Sequence, residues 1–153
     1  MTADDFTLVR RWLSEPHVTR WWGEPDEQFG LISGDLDQQA MDQFIVACGD
    51  HPFAYMQCYD PTAWYGSGLG SQPAGTRGID QFIGETDMLD CGHGSAFIRV
   101  FIDRLLTTGT PRVVTDPDPA NARAIRAYEK AGFQKDRLVD TVDGQALLMV
   151  RNA

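Results

Sequence analysis

The stretch from Arg112 to Phe133 constrains the fold more than any other part of the chain. Arg112-Val113-Val114-Thr115 reads as a short buried strand, and Asn121 to Ala131 as a helix with Gly132 placed as its C′ stop. Between them, Asp116 and Asp118 fall at a strand end and just ahead of a helix, where carboxylates suit the helix macrodipole. Asn121 is the expected N-cap, with Asp118 a second capping candidate. Tyr128 lies on the face of Ala124. The spacing therefore predicts strand–helix alternation in the second half of the chain.

The first half reads differently. Thr2 and Asp5 have capping-box spacing, and Phe6, Val9 and Leu13 mark one face of a helix that Pro16 is expected to close. His17 to Pro25 is an irregular connection carrying Trp21-Trp22-Gly23. Phe29, Ile32, Leu36, Ala40 and Phe44 predict a second helix from Gln28 to about Asp42. Gln43 to Cys48 and Pro52 to Tyr59 then form a hairpin around Gly49-Asp50-His51. Asp60 to Thr76, rich in Gly and Pro, is a long loop of the kind that is usually functional or disordered. Gly78 to Gly84 is a further strand. Gly92-His93-Gly94 opens a helix with Phe97, Val100, Phe101 and Leu105 on its apolar face. Phe133 to Val139 and Ala146 to Arg151 close the chain as a hairpin turned at Asp143-Gly144. Antiparallel pairing followed by alternation predicts an α/β (α+β) fold: a mixed, twisted central sheet with helices on both faces, in a single domain over residues 1–153.

Composition narrows the function. The 22 acids against 13 bases leave a net charge of −9, which disfavours nucleic acid and anionic membranes and favours a cationic partner or simple solubility. No run approaches the ~20 apolar residues of a membrane span, and the first residues lack the basic and apolar regions of a signal peptide. Cys48, Cys58 and Cys91 are odd in number and without a CxxC pair, so a reduced, cytoplasmic protein without a disulfide framework is expected. His17, His51 and His93 are too scattered to announce a metal site.

Two further segments carry chemistry. Gly78 to Gly84 followed by Leu89 to Ser95 is a strand leading into a glycine-containing helix start, which exposes backbone N–H groups at a positive dipole end. That suits a phosphate or pyrophosphate, although a plain helix cap with two glycines would look the same. It is neither the GxGxxG of dinucleotide sites nor a P-loop. Asp80 is an acid within an apolar strand; it must be paired, face a cleft or lie on the strand's polar side.

Taken with these segments, Thr115 to Phe133, with its Asn–Ala–Tyr–Glu–Lys–Ala–Gly–Phe pattern, resembles motif B of the GNAT acetyltransferases, and Gly92-His93-Gly94 falls where that superfamily binds the acetyl-CoA pyrophosphate. Arg77-Gly78-Ile79-Asp80-Gln81 and Trp21-Trp22-Gly23 resemble the aminoglycoside 6′-N-acetyltransferases, in the subgroup that also holds siderophore-type hydroxamate acetylases. The resemblance covers roughly Phe6 to Val150. Three departures accompany it. Leu89 stands where the superfamily usually has Gln or Arg, the customary first strand is absent or truncated, and Asp60 is the only acid of the long loop. A missing first strand would expose a sheet edge along which two copies could pair as a homodimer.

What the resemblance implies is direct transfer of an acetyl group from acetyl-CoA to a primary amine, without a metal. Asp80 would be the general base and Tyr128 the general acid. Backbone groups of Gln81, Phe82 and Ile83 would hold the thioester and pantetheine. Cys91, Gly92, His93, Gly94 and Ser95 would cradle the pyrophosphate, with Asn121, Ala124 and Lys130 also at the cofactor. Trp22, Asp80 and Asp116 would receive the cationic acceptor, with Trp22 alternatively a core residue. Trp64 and Tyr65 would either cover the acceptor or pin their loop. An acetyltransferase for another amine or hydroxylamine (a siderophore precursor, a polyamine, a protein amino terminus) and a non-catalytic acyl-CoA-binding module fit the same residues.

Overall fold

The computed structural model describes residues 1–63 and 68–153. Trp64 and Tyr65, read above as candidates over the acceptor, lie outside the described residues. A 3-10 turn at Ala3–Asp5 leads into α1 (Phe6–Leu13), α2 (Pro16–Trp22) and α3 (Pro25–Gly34). Strands β1 (Met41–Cys48), β2 (His51–Tyr59) and β3 (Arg77–Ile83) follow, then α4 (His93–Thr107), β4 (Arg112–Thr115), α5 (Ala122–Lys130), β5 (Gln134–Thr141) and β6 (Gly144–Asn152). The strands form one six-stranded mixed sheet in the order β1-β2-β3-β4-β6-β5. The chain divides into two compact units, Met1–Cys58 with Gln81–Cys91 and Tyr59–Asp80 with Gly92–Ala153.

In the first unit, Thr2 and Asp5 form the expected capping box. Val9, Trp12 and Leu13 then bury one face of α1 at helical spacing against Val18, Ile32, Tyr55 and Phe82. Two expectations are corrected here. Pro16 does not merely end the first helix: it opens α2 at an N-terminal position, where its missing N–H costs nothing, and Trp21 and Trp22 therefore lie on a helix. Pro25 starts α3 in the same way, so that helix begins before Gln28 and stops at Gly34. Ala40 and Phe44 do not continue its face, and Phe44 belongs to β1. A burial pattern of period two, with Met41 and Gln43 inside, explains why a helical spacing could be misread there.

In the second unit, β4 pairs antiparallel with β6 (Val114↔Val150) and β6 with β5 (Leu138↔Leu147), with a register shift between Lys135 and Arg137. Leu69, Val114, Val139, Ala146 and Leu148 form its core. The closing turn is one residue out from expectation: Thr141 pairs with Gly144, so Val142-Asp143 is the two-residue loop. On α4 the buried residues are Ile98 and Ile102, whereas Val100 is 71% exposed, because it projects from the opposite side of the helix. Gly132, at φ +95°, ends α5 as expected. Among the described residues, no helix is long and apolar enough to cross a membrane, and no group of His, Cys, Asp and Glu could hold a metal ion.

Candidate active site

Asp80 and Asp116 come together through strand register. β3 and β4 run parallel with Arg77 opposite Val113 and Gly78 opposite Val114. Continuing that count sets Asp80 level with Asp116, the first residue after β4 ends at Thr115. Burial foremost, then the negative charges of Asp80 and of Asp143 in the β5–β6 turn, raise the Asp116 pKa from 3.8 to about 8. Burial and the neighbouring negative charges therefore both favour the protonated form of Asp116. Asp143 was read from sequence only as a turn residue; no local pattern tells that its turn folds back toward Asp116.

The helix starts of the same unit differ. Asn121 caps α5 as expected, its Oδ1 accepting the Ala124 N–H at 3.1 Å. Asp118 Oδ1 accepts from Ala120 N–H at 2.7 Å in the preceding turn. At α4, Gly92 is the N-cap, in the left-handed region with φ 84°, and no side chain caps the helix. The first α4 bond runs from Ala96 N–H to the Gly92 carbonyl, and the N–H groups of Gly94 and Ser95 precede it at the positive end of the helix. That is the donor set an anionic phosphate needs. Tyr128 is 4% exposed and packs edge-on against Phe133 at 5.4 Å. Lys130 sits at the far end of α5 from Asn121, about 13 Å along the axis, with its carbonyl accepting from Arg99 of α4. Asn121 and Ala124 are thus brought together, and Lys130 is not among them.

In the first unit, β3 continues as Gln81, Phe82 and Ile83. Phe82 is 6% exposed, stacked on Tyr55 at 5.3 Å and edge-on to Trp22 at 4.8 Å. Trp22 is therefore a packing partner of the core, yet only half-buried. Cys91 is exposed, with its thiol donating to the Leu89 carbonyl at 3.2 Å. Sequence reasoning passed over Glu85, which accepts from Trp12 Nε1 at 2.8 Å and from Arg11. His17, weighed from sequence only as a metal ligand, donates from Nε2 to the Ile83 carbonyl at 2.9 Å.

The chain is similar to known proteins along most of its length. The family model for the acetyltransferase (GNAT) domain matches residues 2–141. The chain is 34% identical to the aminoglycoside N(6′)-acetyltransferase type 1 of Klebsiella pneumoniae, across 99% of this chain and 80% of that protein. It is 42% identical to a kanamycin resistance protein of Rhizobium radiobacter across 50% of this chain and 72% of that one. Among solved structures, aminoglycoside acetyltransferase AAC(6′)-Ib in complex with coenzyme A and kanamycin superposes with a TM-score of 0.82 at 31% identity, covering 99% of this chain and 91% of that one. With a matching domain model over most of its length and a relative this similar from end to end, the chain belongs to the GNAT acetyltransferase family.

Proposed function

We propose that this protein transfers the acetyl group of acetyl-CoA directly to a primary amine, the 6′-amino group of an aminoglycoside. The observation that carries the reading is the carboxylate pair Asp80–Asp116 where β4 ends, in which burial and neighbouring negative charge raise the Asp116 pKa to about 8. It is a receptor for a cation, and the relatives named for aminoglycoside acetylation act on polycations. Most of an alkylamine arrives as ammonium, its pKa being roughly 10, and cannot attack until a proton leaves. Asp80 attracts that ammonium and, as the ionised member of the pair, takes its proton directly or through water. Asp116 supplies the second acidic contact, and Trp22 an apolar wall for a sugar ring.

The donor site follows from backbone. Acetyl-CoA fits the uncapped start of α4, where the N–H groups of His93, Gly94 and Ser95 meet its pyrophosphate and Gly92 leaves the approach open. Gln81, Phe82 and Ile83 present the strand edge to pantetheine, and one of their N–H groups donates to the thioester carbonyl. The Tyr128 hydroxyl returns a proton to the departing thiolate. Cysteines without disulfides fit a reduced cytoplasmic setting. The test is thiol release from acetyl-CoA with kanamycin or tobramycin against polyamines and hydroxylamines. Release stimulated by the aminoglycosides is expected; release with the other amines alone overturns the acceptor assignment.

A further inference from the structure

The close of β3 is gripped from one side by its own unit, residue after residue. His17 Nε2 donates to the Ile83 carbonyl at 2.9 Å. The N–H groups of Gly84 and Glu85 both donate to the Phe53 carbonyl, at 2.8 and 3.2 Å. Two consecutive residues opposite one is the arrangement of a β-bulge, which bends a strand and re-aims what precedes it. It is also ambiguous by itself, since one carbonyl serves two donors and either could own it. A slip by one residue would turn the side chains of the strand to the opposite face.

Glu85 resolves the ambiguity. Its carboxylate accepts from Trp12 Nε1 at 2.8 Å and from the Arg11 guanidinium. Trp12 is fully buried, and its indole lies so flat on Gly84 that a Cβ there would stand 2.0 Å from Trp12 Cγ. The indole thus packs on Gly84 and holds Glu85 by hydrogen bond. The Glu85 side chain is only 21% exposed, so a bond to its charged form is worth more than a neutral one. Nothing in the core packing of Val9, Leu13, Val18 and Ile32 requires a carboxylate at this place.

We propose that Glu85 is a positioning residue for the acetyl donor: anchored on Trp12 and Arg11, it sets the register in which Gln81, Phe82 and Ile83 meet the thioester. The inference rests on the donor site given under Proposed function. Its test reads acetyl-CoA binding by calorimetry, which needs no turnover, beside the KM for each substrate. Glu85→Ala is expected to weaken acetyl-CoA binding about tenfold with the amine KM within twofold of wild type. Glu85→Gln, which still accepts from the indole, restores binding to within about threefold. Trp12→Phe keeps the ring on Gly84 but loses the N–H, reproduces the loss, and serves if Glu85→Ala does not fold. Val18→Ala, which loosens the same core, leaves the acetyl-CoA Kd unchanged. An unaltered Kd in Glu85→Ala or Trp12→Phe, or an equal loss in Val18→Ala, overturns the positioning role. A wild-type protein that binds acetyl-CoA but acetylates no aminoglycoside overturns only the acceptor reading; one that binds no acetyl-CoA overturns both.

Discussion

Asp80 lies within β3 and Glu85 two residues beyond its end, and their surroundings are opposite in kind. Glu85 faces a guanidinium and an indole N–H, which hold it in one place. Asp80 faces Asp116, a second carboxylate whose proton it helps to retain up to about pH 8. Asp116 is kept protonated by its burial and by Asp80, and a cation beside the pair would favour its ionisation. The net charge of −9 does not make this distinction; the β3–β4 register that sets Asp80 level with Asp116 does.

The largest effect should come from breaking the site end. Asp80→Asn is expected to lower turnover by about 10²–10⁴-fold while the acetyl-CoA Kd stays put, because the base is lost and the backbone donors are not. The same change should bring the Asp116 pKa partway down, since Asp80's charge is one cause of its rise, and leave it above 3.8, since burial is the first cause. Unchanged turnover would remove Asp80 as the base.

Breaking the structural end comes next. Gly84→Ala should destabilise the protein by about 3 kcal/mol, the upper part of the overpacking range, because the Trp12 indole it strikes is fully buried. Gly78→Ala strikes the Tyr59 ring at 2.4 Å at the other end of β3, where the ring is 9% exposed and has slightly more room, and should cost less. Denaturant midpoints of the two variants check the order; equal or negligible losses would show that the rings yield.

How much of this the sequence discloses depends on how local the cause is. Asn121, Gly132 and Gly92 were legible because a cap, a helix stop and a glycine turn are decided by a few neighbouring residues. Asp80 was legible only as an acid within an apolar strand and Asp116 as one at a strand end; their adjacency is a product of the β3–β4 register. Pro16 was misread as a stop because the same residue can end one helix or begin the next. Phe44 fitted a helical spacing that the strand period overrode. Glu85 and Asp143 were missed because their partners, Trp12 and Asp116, are distant in sequence.

The last test sharpens the contrast most, because it reads the proton itself. Asp116 has a folded pKa raised above its unfolded value, so between about 4 and about 8 the folded protein binds the proton that the unfolded chain has released. Its contribution to stability is therefore unfavourable and grows as pH rises through that window, with a slope of at most about 1.4 kcal/mol per pH unit, and it levels off above the folded pKa. Asp116→Asn should remove that slope and leave the variant relatively more stable at pH 8 than at pH 5. Kanamycin binding measured at pH 7 in two buffers of different ionisation enthalpy should show proton release in the wild type, as the ammonium takes the proton's place, and less release in Asp116→Asn. Glu85→Gln provides the contrast, since it lies away from the Asp80–Asp116 pair and is expected to leave the release as in the wild type. Equal proton release in the Asp116→Asn variant would mean that the pair does not receive the cation, and the distinction between Asp80 and Glu85 would then rest on packing alone.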